Sequence, residues 1–324
     1  MTIDHRQEIP AAVAAPAEAT ARAPSRVVDA WLSLLFFTAR VAPWLLTILR
    51  PFAIRVTTWS SRAVRQNTRC NARWIFGREL SDREARRFAR NVVGSFYDFV
   101  TDVGRSSASE TAGDFLRRLE SDDGRQQYLE TRKAGRGAVL VTAHMGAFEV
   151  GLAALRQVEQ DVHVVFKRDA FAGFERIRSR VRQILGVHEA PIDHGFASLV
   201  KLRDALLADQ VVVMQADRAM AGQRSQVVPF LSGHARLPLG PVKLAALTGS
   251  PIVPVFVVPS ARGQFKVFLC DAIHVDPDAP APSDGVDPAL RAIAKAMESF
   301  VSRYPEQWLV LDRVFVEDTA GAEH

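Results

Sequence analysis

The apolar rhythm of the chain changes near residue 137. Upstream the pattern is helical. Ala85, Phe88, Val92, Phe96 and Phe99 recur at helix spacing behind Ser81-Asp-Arg-Glu84, the signature of a capping box. Residues 60–135 read as helical throughout. Downstream, short apolar runs alternate with amphipathic stretches. Strands are predicted over Ala138–Ala143, Val162–Phe166, Val211–Met214, Ile252–Val258 and Gln264–Leu269. Helices are predicted over Phe148–Val158, Phe171–Leu185, Ser198–Ala208, Pro241–Leu247 and Asp287–Arg303, with Trp308–Val316 a final strand or extended segment. Such alternation implies an α/β fold, a mostly parallel central sheet flanked by helices. The Pro/Asp-rich stretch from Asp276 to Asp287 reads as a loop.

The N-terminal third adds two features. Residues 1–25 are Ala/Pro-rich with both signs of charge, the composition of a disordered arm. Trp31 to Leu49 is apolar and about long enough to span a bilayer. Arg40 sits near its middle, at a cost of roughly 2.5–3.5 kcal/mol for insertion, and Pro43 would kink it. Ser33, Arg40 and Thr47 form a narrow polar stripe, and Trp31, Trp44 and Trp59 flank the segment. The functional reading is an N-terminal membrane-associated helix, spanning the bilayer or lying in its interface. The bland reading is a core helix. The organisation is then an arm over 1–25, an anchoring segment over 26–59 and a folded domain over 60–318.

Composition narrows the choice of partners. The chain has 324 residues, 48% of them hydrophobic, enough for one large core. Its formal charge is +5, and between Arg40 and Arg90 twelve arginines face only three acids. That surplus suits an anionic partner: lipid head groups, an acidic carrier protein or nucleic acid. The two cysteines, Cys70 and Cys270, are far apart, so neither a disulfide framework nor a zinc site is indicated and a reducing compartment fits. No cofactor or metal is expected.

Candidate chemistry gathers at strand ends, where open α/β sheets bind ligands. His144 closes the first strand, and Glu149 follows five residues later in the first helical turn. A neutral imidazole can take a proton from an attacking hydroxyl, and a carboxylate on its other nitrogen would fix the tautomer. A locally hydrogen-bonded histidine beside a helix-start acid is the structural alternative. Lys167 and Arg168 close a second strand, and Asp217 and Arg218 follow a third. Lys167 and Arg168 are candidates for clamping a phosphate or carboxylate. No GxSxG elbow, HExxH or dinucleotide-binding glycine pattern is present. Without a nucleophile in the chain, one bound substrate would attack another directly.

The order of these blocks resembles the glycerolipid acyltransferase superfamily, and within it the lipid A biosynthesis lauroyl/myristoyl acyltransferases. His144-Met-Gly-Ala-Phe-Glu149 is similar to the family's His-x4-Asp/Glu segment. Val228-Pro-Phe-Leu-Ser-Gly233 is similar to its Val-Pro-Phe-Phe-Gly region, and Tyr304-Pro-Glu-Gln-Trp to its closing motif. The chain departs where these enzymes have Asp-Gln-Asp (here Gln215-Ala-Asp217), where the closing motif has His (here Asp312), and at Phe166-Lys167-Arg168. The resemblance implies an O-acyltransferase on the cytoplasmic face of a bacterial inner membrane. It would move a fatty acyl chain from acyl carrier protein or CoA to a hydroxyl of a lipid or glycolipid. His144 would be the base and Glu149 its orienter. Among substrate-binding residues, Lys167, Arg168 and Arg218 would hold phosphate or carboxylate groups, and Asp217 would fix that arginine or contact the acceptor head group, with no nucleic acid involved. A thioesterase and a non-catalytic lipid-binding module are the rival readings.

Overall fold

The computed structural model describes residues 26–169, 171–192, 196–220, 222–277 and 282–316. The arm expected over 1–25, and the middle of the Pro/Asp-rich loop, lie outside these residues. Four helices come first: α1 (Arg26–Val41), α2 (Pro43–Ser60), α3 (Arg62–Phe76) and α4 (Asp82–Ser106). The expected capping box forms at α4. The Ser81 side chain accepts from the Glu84 amide and the Glu84 carboxylate accepts from the Ser81 amide. Short helix α5 (Ala112–Leu116), strand β1 (Leu119–Asp123) and helix α6 (Arg125–Arg132) follow. β1 lies inside the stretch expected to be helical. Its sequence, Leu-Glu-Ser-Asp-Asp, has no strand signature of its own, and it exists by pairing at the sheet edge.

The remaining elements are β2 (Ala138–Thr142), α7 (Phe148–Leu155), β3 (Val162–Phe166), α8 (Ala172–Ile184), β4 (His188–Pro191), α9 (Phe196–Leu207), β5 (Val211–Gln215), β6 (Ser225–Phe230), β7 (Gly233–Pro238), α10 (Gly240–Thr248), β8 (Ile252–Pro259), β9 (Phe265–Leu269) and α11 (Pro288–Arg303). Seven strands form one sheet in the order β1-β9-β8-β2-β5-β3-β4. All its pairings are parallel except β8 with β9. The α/β class and the mostly parallel sheet are as expected. Of the two forms expected, the closing segment takes the extended one: after a 3-10 turn at Pro305–Gln307 it makes isolated bridges, Met145 to Trp308 and Ala235 to Phe315, and no strand.

Both faces of the sheet are buried, and alternation along each central strand divides the core. Val139 and Val141 of β2, with Val212 and Met214 of β5, pack toward α9, α10 and α11. Ala138 and Leu140, with Val211 and Val213, pack toward α6, α7 and α8. The sheet thus separates two layers of helices, and its carboxyl ends open between them.

The N-terminal segment corrects an expectation. Trp31 to Leu49 is not one helix, because Ala42 leaves helical geometry (φ −143°, ψ 60°) and Pro43 starts a new one. A proline lacks the N–H that would continue α1 and is tolerated at a first helical position. Among the described residues no helix is long and apolar enough to cross a membrane.

Candidate active site

Strand register builds the centre of the site. β2 and β5 are parallel neighbours, with Thr142 opposite Gln215. Two residues past each strand end, His144 therefore faces Asp217. The His144 ring Nδ1 lies 2.7 Å from Asp217 Oδ1, and the His144 amide donates to Asp217 Oδ2 at 3.1 Å. Trp308 Nε1 donates to the same Oδ2 at 2.8 Å. Trp308 is brought there by the closing segment, whose Leu309 amide donates to the His144 carbonyl at 2.7 Å. Asp217 is 1% exposed. Burial alone would push its pKa up, but the His144 ring, the Trp308 indole and the His144 amide outweigh burial and hold it at about 2. An ionised carboxylate there makes Nδ1 the donor. The lone pair then sits on Nε2, which has no partner among the described residues.

The turn that carries His144 depends on Gly146. Its φ is +59°, and a Cβ would stand 2.1 Å from the Val257 carbonyl oxygen of β8. Only glycine combines that conformation with that approach. Gly151, one turn into α7, is tight against Val257 as well, with a Cβ position 2.7 Å from Cγ2. These two glycines let α7 start directly beneath the histidine.

His144 borders a cavity of about 330 Å³. Aromatic side chains wall it: Phe96 and Phe99 from α4, Phe148 from α7, Phe171 and Phe174 at the start of α8. Gln215, Asp169, Arg178 and Arg218 add polar groups. Arg178 pairs with Asp169 at 3.2 Å and lies 5.9 Å from the Phe174 ring centre. Burial pushes the Asp169 pKa up against the opposing pull of Arg178. Phe148 also lines a second, wholly different space, a narrow apolar crevice between α7 and the sheet. Leu140, Leu152, Val213 and Val257 form its walls, and it holds about 40 Å³.

A buried, ionised acid that fixes a histidine tautomer, at the mouth of an aromatic cavity, is a general-base arrangement. Comparison with known proteins gives it a family. Residues 16–316 match the family described as bacterial lipid A biosynthesis acyltransferase. The chain belongs to that family. Two similar proteins are phosphatidylinositol mannoside acyltransferases. The one from Mycolicibacterium smegmatis is 26% identical over 186 residues, covering 57% of this chain and 59% of the relative. The one from Mycobacterium tuberculosis is 26% identical over 187 residues, covering 57% and 56%. The chain thus spans under three fifths of the length of the curated relatives it matches.

Within this lipid A acyltransferase family member, the residues singled out from sequence are distributed unevenly. His144, Asp217 and Arg218 come together. Glu149 does not take the orienting role expected of it, because strand register delivers Asp217 to Nδ1. Glu149 is 8% exposed in the first turn of α7 and makes no hydrogen bond to His144. Burial raises its pKa, with Arg178 opposing. Asp217 does not fix Arg218, which instead pairs with Asp312 at 3.1 Å. Lys167 and Arg168 are exposed at the end of β3 and do not line the cavity. Arg178 was missed. Its signal was present, since Phe171, Phe174 and Arg178 recur at helical spacing and present one face to the cavity. Trp308 was missed too, because nothing local marks it as a partner of Asp217.

Proposed function

We propose that the chain transfers a fatty acyl group from an acyl thioester to a hydroxyl of a lipid or glycolipid. The observation that carries this reading is the His144–Asp217 pair, whose free Nε2 borders a cavity that shares Phe148 with an apolar crevice. The acceptor hydroxyl gives its proton to Nε2 as its oxygen attacks the thioester carbonyl. The tetrahedral intermediate collapses, the C–S bond breaks, and the leaving thiolate takes the proton back from the imidazolium. Asp217 stabilises that imidazolium through the 2.7 Å contact. The acyl chain enters the crevice by parting α7 from the sheet. Arg178 and Arg218 hold anionic groups of the acceptor. The names of the mycobacterial relatives make a phosphatidylinositol mannoside-type glycolipid one acceptor to test beside lipid A precursors.

The reaction needs two amphiphiles, and the surface offers a place to meet them. Val41, Trp44, Ile48, Phe52, Val56 and Trp59 form a stripe at helical spacing along the end of α1 and α2, each at least 42% exposed. Trp59 shares a recess with Arg55, Arg65, Arg86 and Arg90. Aromatic rings beside cations suit the interface of an anionic membrane. In this reading α1 and α2 lie in the plane of a bacterial inner membrane, on its cytoplasmic face, and the cavity walled by α4 and α8 receives the lipid acceptor.

The test is lipid mass spectrometry of cells making the intact chain or its His144→Ala variant. One lipid gains a single acyl mass with the intact chain only. Release of free fatty acid with no acylated lipid would favour a thioesterase and defeat the proposal.

A further inference from the structure

A large unassigned space lies on the opposite face of the sheet from the aromatic cavity. It is a cleft of about 550 Å³ between α9 and α10. The two spaces meet at Gln215, the last residue of β5, which lines both. Val165, Leu199, Leu202, Met214 and Leu244 make the cleft's apolar walls. Two cations reach its rim. Arg224 is exposed and Lys243 half-buried. Backbone bonds set them together: the Leu239 amide donates to the Arg224 carbonyl at 3.0 Å, and the Lys243 amide one turn later donates to the Leu239 carbonyl at 3.0 Å. Among the described residues neither cation has an acidic partner, and no acidic side chain lines the cleft.

On the proposed acyl-transfer reading, we infer that this cleft binds the phosphopantetheine arm of the acyl donor, with its phosphate at Lys243 and Arg224. Three observations single out that occupant. The rim carries positive charge alone, which fits a phosphate. The walls are not purely apolar. The Gln215 side-chain amide has no hydrogen-bond partner among the described residues. Gln223 uses its Oε1 to accept from the Met220 amide at 3.0 Å, leaving its NH₂ to donate. A hydrocarbon tail would desolvate these amides without replacing their hydrogen bonds, whereas a pantetheine arm carries amides of its own. Finally, the exposed apolar stripe belongs to α1 and α2, which pack on α4, a wall of the aromatic cavity, so the lipid acceptor and the arm reach His144 from opposite faces of the sheet. The thioester then lies between Gln215 and His144, and its acyl chain turns into the crevice under α7.

Dodecanoyl 4′-phosphopantetheine and dodecanoyl pantetheine differ by one phosphate, and their kcat/KM values with the full-length protein form the test. The wild type is expected to prefer the phosphorylated thioester by about 10- to 100-fold, the range of a charge-assisted hydrogen bond. The double variant Lys243→Ala, Arg224→Ala is expected to lose that preference while handling dodecanoyl pantetheine within about twofold of wild type. A preference that survives the double variant, an equal fall on both thioesters, or a change confined to the acceptor KM would each overturn the assignment. Binding of the unreactive dodecyl thioether of phosphopantetheine, measured calorimetrically on the His144→Ala protein, separates this claim from the reaction itself. Binding that depends on Lys243 without any turnover by wild type would leave the site and remove the acyl transfer. No binding to wild type or His144→Ala protein would remove the site whatever the turnover.

Discussion

Asp217→Asn tests the base most sharply, because it removes one charge and almost no volume. Asp217 accepts three hydrogen bonds, from the His144 ring, the His144 amide and Trp308. An asparagine can keep the bonds from Trp308 and the His144 amide through its oxygen, but its NH₂ then faces Nδ1. That reverses the tautomer and puts the proton on Nε2, where the lone pair is needed. The imidazolium that forms during transfer also loses its counter-charge. Unit charges 2.7 Å apart at an effective dielectric of about 20 attract by roughly 6 kcal/mol. Proton transfer is incomplete in the transition state, so only part of this is realised. A fall in kcat of about a thousandfold is expected, inside the range of roughly 10²–10⁴ for a positioned base. The assay is initial-rate acyl transfer at saturating thioester and acceptor, with melting temperature and vesicle binding measured alongside. Glu149→Gln is the comparator: it touches no ring nitrogen and is expected to cost less than Asp217→Asn. A folded Asp217→Asn protein within tenfold of wild-type kcat, or a reversed ranking of the two variants, would refute the assignment of Asp217.

Three further outcomes follow from the same geometry. Gly146→Ala places a methyl 2.1 Å from a carbonyl oxygen at a positive φ, and is expected to lower stability by at least about 2 kcal/mol, read as a loss in urea midpoint together with activity. The Asp217 pKa is depressed from 3.8 to about 2, so it stabilises the fold above about pH 4 and that contribution fades as pH falls towards 2. The stability gap between wild type and Asp217→Asn should therefore narrow by about 2 kcal/mol across that window, and a constant gap in pH-dependent denaturant melts would contradict it. Trp44→Ser with Trp59→Ser removes two rings exposed at 64% and 82% and is expected to weaken binding to anionic vesicles at least tenfold, with unchanged affinity counting against the in-plane placement of α2.

Much of this architecture is legible in the chain itself. The central strands announce themselves as short apolar runs, and the capping box at Ser81 marks α4 within a residue. His144 stands out because a titratable group ends a buried strand. What stays hidden is whatever needs strand order. Asp217 lies 73 residues from His144, and only the adjacency of β2 and β5, with β3 and β4 placed outside them, brings the two together. Trp308 arrives from still farther along the chain. β1 and β4 are short and polar and become strands through pairing at the sheet edges. The β6–β7 hairpin forms where no strand is expected from the sequence. The N-terminal apolar run is continuous in hydropathy but two helices in the backbone, with the break at the proline expected to kink it. Hydropathy averages over Pro43, whereas the backbone ends one helix at Ala42 and begins another.

The central claim is that His144 is the base of an acyl transfer. It is tested most directly by incubating purified wild-type and His144→Ala protein with a radiolabelled acyl thioester and candidate acceptor lipids, then counting label in the lipid fraction. The expected result is labelled lipid with wild type and at most about a thousandth as much with His144→Ala, at equal melting temperature and vesicle binding. Comparable labelling by the folded alanine variant would contradict the account.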